Sequence, residues 1–317
     1  MRNGPAAWGT AVVAAIAALL VLLATLLVLP DEKASPAEGS RAVRVLQYNL
    51  CGAAAGCPWN AGGSGRGTSV ARLVKSAVRY EPDIVTVNEI CLTQYAALKE
   101  QLARAGRRMD GTYASSQDNV PACGRTGRFG SAVLSRGDVP DGRQDYRPFT
   151  HTGGETYTNG GRTVLVHRGL LCAHTRVQGE RLVACTAHAY SKAPEQLREI
   201  RDWTASFPGS VPVVLAGDLN LPPDAPALPL LTSRFTEADR ADDEPTAGGR
   251  KIDYLFADRR HVRSVDADAV KYPESDHALL EGTFRLTLRP GELPVTLPPV
   301  HRPRPHALGP QLAHPAP

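Results

Sequence analysis

The 317-residue chain lacks most of the short motifs that announce a chemistry. Six cysteines stand at 51, 57, 91, 123, 172 and 185, yet none forms a C-x-x-C pair, which argues against a zinc knuckle. There is no G-x-S-x-G elbow, so a serine hydrolase of that design is set aside. The Gly-rich run AGGSGRGTS, 61–69, matches neither G-x-x-x-x-G-K-[ST] nor G-x-G-x-x-G and reads as a linker or a rim loop. No repeat of fixed period is visible. A large charge excess is absent too: 36 basic against 32 acidic residues leave +4, too little to argue for a nucleic-acid partner. The RGD at 136–138 sits in a turn-like SRGDVPDGR context and is treated as coincidence.

What is present begins at the N-terminus. Residues 11–29, AVVAAIAALLVLLATLLVL, contain one polar residue, Thr25. That is close to the roughly 20 residues that span a bilayer and longer than a usual signal-peptide core of about 7–15. No clear A-x-A site follows. The segment is read as an uncleaved signal anchor, with a cleaved signal peptide as the alternative. A buried core helix is disfavoured, because nothing upstream could cover it. Arg2 precedes the segment, and Asp31, Glu32 and Lys33 follow it. The positive-inside rule then leaves the N-terminus in the cytoplasm and the bulk of the chain outside, membrane-anchored or secreted. An even cysteine count suits disulfides in that oxidising compartment. Cys172 and Cys185 flank an expected turn at Gln178-Gly179, and Cys51–Cys57 would close a small loop, leaving Cys91–Cys123. Six cysteines allow about fifteen pairings, and six free thiols are the other option.

The organisation follows from composition. Residues 31–41 read as a polar linker, 42–286 as one domain, and 287–317, rich in Pro, as an extended or disordered tail. Helical spacing appears in Thr68–Tyr80, Leu92–Ala105 and Pro194–Phe207. Strands are expected from Val43 to Asn49, Asp83–Ile90, Gly130–Ser135, Arg162–His167, Leu170–Val177, Arg181–His188, Val211–Ala216, Ile252–Ala257, Val262–Val270 and Ala278–Leu286. Helix and strand alternate loosely with hairpins between, which favours a layered α/β sandwich over a doubly wound sheet.

Polar residues gather where these strands end: Asn49, Glu89, His188, Asp218 with Asn220, and Asp276 with His277 before the last strand. Any one of them has a bland explanation as a turn former, a cap or a satisfied histidine. Asp253 is harder to dismiss, because a carboxylate inside the apolar run IDYLF needs a partner, and His277 is available. Carboxylates with an amide oxygen and no Cys/His cluster suit a hard cation such as Mg2+, with Mn2+ or Ca2+ as substitutes. Glu89 and Asp276, with Asn49, are the expected metal residues. A phosphate ester also needs a base and donors to its oxygens. Asp218 is the expected base. Asn220, on the same face of an extended chain, and His188 and His277 are the expected donors. Arg125, Arg128, Arg162 and Arg168 could line a phosphate groove, although arginines are more often simply solvated.

The motifs QYN (47–49), VNEI (87–90), FGSAVLSR (129–136), TAHAY (186–190), GDLN (217–220), KIDYLF (251–256) and YPESDH (272–277) resemble, in order and spacing, those of the endonuclease/exonuclease/phosphatase superfamily with its DNase I-like fold. The resemblance implies a four-layered α/β (α+β) sandwich: two facing mixed sheets flanked by helices, with the site at one end. It implies a metal site at Asn49, Glu89 and Asp276, catalytic roles for His188, Asp218 and Asn220, and an Asp253 that orients His277. Three departures stand out. Asn88 precedes Glu89 where Gln is frequent, Cys51 replaces a carboxylate found in some relatives, and Ser131 replaces a common Asn. A Trp-rich membrane hairpin and a W-C-D-R-V signature are missing, which lowers sphingomyelinase-type and inositol-phosphatase-type substrates. The expectation is a monomeric, metal-dependent phosphoesterase outside the cytoplasm. It would act on nucleic acid, phospholipid or a small phosphoester, endonuclease activity being one option. The alternative is a non-catalytic binding module on the same fold.

Overall fold

The computed structural model describes residues 40–53, 57, 68–140, 144–240 and 242–287. The apolar segment 11–29, residues 31–39 of the expected linker, most of the Gly-rich run and residues 288–317 of the tail lie outside the described residues. Ser40 and Arg41, expected in the linker, already belong to the first strand. No helix of the described residues is long and apolar enough to cross a membrane.

In chain order the elements are β1 (Ser40–Asn49), α1 (Thr68–Tyr80), β2 (Ile84–Cys91), α2 (Leu92–Arg104), β3 (Asp110–Gln117), a 3-10 segment (Pro121–Thr126), β4 (Phe129–Ser135), β5 (Gln144–Pro148), β6 (Thr156–Asn159), β7 (Arg162–Leu165), β8 (Gly169–Val177), β9 (Glu180–His188), α3 (Glu195–Ala205), β10 (Val213–Asp218), α4 (Pro229–Thr232), β11 (Phe235–Glu237), β12 (Asp253–Asp258), β13 (Val262–Val270) and β14 (Leu279–Thr287). They form two six-stranded mixed sheets, ordered β13-β14-β1-β2-β4-β3 and β11-β12-β10-β9-β8-β5, and a small β6-β7 hairpin. Each large sheet contains one parallel pair, β1 with β2 and β9 with β10. Each pair is joined through a helix, α1 or α3.

Four layers follow from three cores. Val43, Val45, Ile84 and Val133 of one sheet meet Leu171, Ala184, Val214 and Leu255 of the other. On the outer face of the first sheet, Val70, Leu73 and Ala77 of α1 and Leu98 and Leu102 of α2 cover Leu46, Val85 and Leu134. On the outer face of the second, Leu197, Ile200 and Trp203 of α3 cover Val183, Val213 and Phe256. The three- and four-residue spacing of these helix positions makes the stripe, and each large apolar side chain so buried contributes about 2 kcal/mol.

The period of two in the strands explains where the polar residues go. In β1, Val43 and Val45 face the other sheet, and Gln47 and Asn49 continue that face toward the strand's end. The same change from apolar to polar runs through Ile84, Thr86 and Asn88 in β2, through Leu182, Ala184, Thr186 and His188 in β9, and through Val214, Ala216 and Asp218 in β10. The central core therefore becomes a polar cleft at one end, where the carboxyl ends of both parallel pairs meet.

Disulfides join Cys51 to Cys57, Cys91 to Cys123 and Cys172 to Cys185. The last crosses the β8–β9 hairpin, whose register pairs Cys172 with Cys185 and Gly169 with His188.

Candidate active site

Asp218 is the last residue of β10 and is 1 % exposed. Its backbone N–H donates to Asn88 Oδ1 at 3.0 Å. Its Oδ1 accepts from the Asn220 N–H at 2.9 Å, and its Oδ2 accepts from Asn49 Nδ2 at 3.1 Å. His188 Nε2 lies 3.5 Å and His277 Nε2 3.8 Å from the same Oδ2. Gly217, at φ 137, is needed just before it: a Cβ there would collide with the Ala187 carbonyl of β9.

Asn49 also donates Nδ2 to Glu89 Oε1 at 3.2 Å, so residues from both sheets converge on one cleft. Its Oδ1 accepts from the Cys51 N–H at 2.9 Å. The amide thus presents nitrogen to the two carboxylates, whereas the sequence reading gave it an oxygen role toward a metal. Asn220 differs from expectation in the same local way. It sits at φ 54, so the chain turns instead of staying extended, and its Nδ2 donates to the Ala189 carbonyl at 3.0 Å.

Asp253 opens β12 and is fully buried. Its Oδ2 lies 2.7 Å from His277 Nδ1, its N–H donates to Thr246 Oγ1 at 3.0 Å, and its Oδ1 finds no hydrogen-bond partner among the described residues. The loop before it is anchored by Lys251, whose buried Nζ meets Asp239 at 2.7 Å and Glu237 at 3.0 Å. Ser275 fixes the last loop by donating Oγ to the Asn49 carbonyl at 2.7 Å and accepting the His277 N–H at 3.2 Å. Asp276, between them, is exposed.

The electrostatics follow from burial and crowding. Burial pushes Asp218 up to about 7, helped by the neighbouring Asp253 charge. Burial also raises Glu89, and Asp276 lies near enough to add to that rise. Burial alone would lower His277, but the Asp253 charge and hydrogen bond outweigh it and carry the group up to about 10. His188 is held well below its ordinary value by burial, then by Arg168 and His277. Glu89, Asp218, Asp253 and Asp276 thus crowd against the cations Arg168 and His277. A cleft so rich in carboxylates fits a hard divalent cation. Glu89, His188 and Asp218 each offer an atom within 4.8 Å of the others.

Several partners were not singled out in the sequence. Asn88 uses its whole amide: Oδ1 accepts from Gln47 Nε2 at 2.8 Å and from Asp218 N–H, while Nδ2 donates to Ser131 Oγ at 3.2 Å and Thr186 Oγ1 at 3.1 Å. It latches the two sheets together. Arg168, one of four weak arginine candidates, contacts His188 Nε2 and is gripped by Glu155 through two hydrogen bonds of 2.6 and 2.8 Å. Arg125 and Arg162 are exposed, and Arg128 lies over the Tyr113 ring. Counting outward from the Gln178-Gly179 turn pairs Gly169 with His188, which brings the neighbouring Arg168 to the same end of the hairpin.

A family model, "Endonuclease/Exonuclease/phosphatase family", matches residues 46–277. The chain belongs to that family. Members of this endonuclease/exonuclease/phosphatase family are hydrolases of phosphate esters, and the four-layered sandwich is its DNase I-like fold. A search of curated proteins returns no match. Among solved structures, an endonuclease/exonuclease/phosphatase from Beutenbergia cavernae DSM 12333 is 24% identical with a TM-score of 0.60, over 78% of this chain and 72% of that one. Sphingomyelinase C from Streptomyces griseocarneus is 17% identical at 0.55, over 77% and 99%. A mannosyl-6-phosphatase from Bacteroides thetaiotaomicron VPI-5482 is 18% identical at 0.55, over 76% and 99%. At these identities the likeness concerns the fold.

Proposed function

We propose that this family member is a divalent-metal-dependent phosphoesterase that works outside the cytoplasm, as a secreted or membrane-anchored monomer. The observation that carries the reading is the convergence on Asp218 Oδ2 of Asn49 from one sheet and two histidine Nε2 atoms at 3.5 and 3.8 Å. Glu89 and Asp276 would hold Mg2+, or Mn2+ or Ca2+, with Asn49 alongside, and the bound ion would supply Lewis-acid polarisation of a phosphoryl oxygen.

The residues of this chain do the rest. Asp218, with a proton affinity matched to neutral pH, takes the proton of the attacking water. Asn49 and the Asn220 N–H hold that carboxylate in place, and Asn88 accepts from the backbone N–H behind it. His277, kept charged by Asp253, directs Nε2–H at a phosphoryl oxygen and balances the charge that grows there. His188 faces Asp218 from the other side, steadied by the Arg168–Glu155 pair. The three disulfides, each joined in the expected pairing, support an oxidising compartment.

The substrate is a phosphodiester or phosphomonoester. The structural neighbours whose names give a substrate act on a sphingolipid and on a sugar phosphate, and neither choice is carried over. The test is a panel of DNA, RNA, phospholipid and sugar phosphates with the purified protein. Hydrolysis of one class, lost with EDTA and restored by Mg2+, is expected. A nuclease would also show steep loss of affinity with salt. Full activity after chelation would refute the metal role. No hydrolysis across the panel together with tight ligand binding would favour a binding module.

A further inference from the structure

The pairing of β2 with β4 slips by one residue between Val87 and Ile90. Asn88 occupies the face that looks across the cleft, so in an unbroken strand Glu89 would turn toward the helices. The slip is a bulge, and it puts Glu89 at φ 55, a region that non-glycine residues seldom adopt. The Glu89 carboxylate therefore enters the cleft and meets Asn49. Such a backbone persists only where its surroundings hold it. Asp218, the facing carboxylate, keeps the parity of its own strand, and the unusual backbone beside it falls on a glycine, Gly217, which takes it readily.

The grip on the bulge is visible. Two residues beyond Glu89, Cys91 is bonded to Cys123 of the 3-10 segment, and both are fully buried. Leu92 N–H donates to the Arg128 carbonyl at 3.0 Å, which ties the same place to the same loop. Cys91 N–H donates to Gln94 Oε1 at 2.8 Å, and Gln94 Nε2 donates to the Gly52 carbonyl at 3.1 Å. Gly52 N–H closes the circuit on the Glu89 carbonyl at 2.8 Å. The Cys172–Cys185 bond has no such position, since both cysteines pack in the core beneath α3.

We propose that Cys91 and Cys123 are positioning residues: their disulfide holds the β2 bulge in the turn that aims Glu89 into the cleft, and so sets the affinity of the cleft for a divalent cation. This rests on the metal role given to Glu89 above.

The test compares Cys91→Ala/Cys123→Ala with Cys172→Ala/Cys185→Ala in the full chain. Amide hydrogen exchange at 50–52 and 88–92 is read without metal, and Mg2+ affinity is read by calorimetry without substrate. The first variant should exchange at least tenfold faster at those amides and bind Mg2+ at least tenfold more weakly. The second should change neither by more than twofold, although it too loses thermal stability. Unchanged exchange in the first variant overturns the proposal, and so does faster exchange with unchanged Mg2+ affinity. Equal losses in both variants overturn it as well, because they mark a general stability effect. If wild-type protein binds no divalent cation, the metal role of Glu89 falls, and with it the link to affinity. The clamp is then decided by exchange alone. Cys91→Val/Cys123→Ala, which fills the space, replaces the first variant if that one does not fold.

Discussion

Strands β1 and β2 of one sheet and β9 and β10 of the other are each a parallel pair joined through a helix, and both pairs deliver side chains to one cleft. They are finished differently. The first pair ends in Asn49 and a bulged Glu89, and a disulfide begins two residues after each. The second ends in His188 and Asp218, locked by hydrogen bonds alone. The first half brings in Glu89, the carboxylate given the metal role above, near the exposed Asp276. The second buries Asp218 and His188, whose proton affinities burial shifts in opposite directions. In the first half the disfavoured turn falls on a non-glycine residue, flanked by covalent bonds, whereas in the second, beside Asp218, it falls on Gly217 and the side chains around it are satisfied by hydrogen bonds.

The sharpest break between the halves comes from removing one carboxylate in each. Asp218→Asn keeps the shape and deletes the base. We expect kcat to fall by about 10²–10⁴-fold, the usual worth of a general base, with an unchanged circular dichroism spectrum. Wild-type turnover in that variant would remove Asp218 from the mechanism. Glu89→Gln should act first on the cation: Mg2+ affinity falls at least ~10-fold, and excess Mg2+ restores part of the rate. If excess Mg2+ also rescued Asp218→Asn, the division of labour between the halves would be wrong.

How far this division was legible in the sequence depends on strand position. Central strands such as β9 and β10 announce themselves by unbroken apolar runs, and their polar ends pick out His188 and Asp218. The edge strands β3, β5 and β11, with sequences DGTYASSQ, QDYRP and FTE, carry no such run, because one side of each lacks a partner strand. They were not foreseen, nor was the β6 strand of the small hairpin. The latch at Asn88 was hidden for another reason. Its partners Gln47, Ser131, Thr186 and Asp218 come from four other strands, and only the stacking of the sheets brings them together. Yet the alternation itself was readable: Thr86 and Asn88, or Thr186 and His188, share the parity of the apolar residues behind them. Glu89 breaks that parity, and nothing in VNEI signals the bulge.

A smaller effect reads the second half through pH. Asp218 must be ionised to take a proton, so kcat/KM should fall tenfold per pH unit below its apparent pKa. In metal-free protein that value stands at about 7, raised by burial and by Asp253. A nearby cation favours the ionised form. Increasing Mg2+ should therefore move the acid limb below pH 7, and lowering Mg2+ should return it toward 7. A limb that ignores both changes would separate Asp218 from the cation site.

The smallest expected effect tests the charge that ties the two sheets together, between Asp253 at the start of β12 and His277 in the loop before β14. His277 carries a pKa of about 10 in the folded protein, because Asp253 more than offsets its burial. Its ordinary value is near 6.5. Between these values the folded state binds more protons than the unfolded one, so stability falls as pH rises. The contribution of the Asp253–His277 pair is complete below about pH 6.5 and is lost as pH passes through 10. Melting temperature should drop by several degrees across that window, at roughly 2–4 °C per kcal/mol for a domain of this size. Asp253→Asn should melt lower at pH 7 and show a flatter slope, since it removes the group that raises His277. Equal slopes in both proteins would mean that His277 is uncharged at neutral pH, and the cleft would then have to stabilise its growing negative charge without that cation.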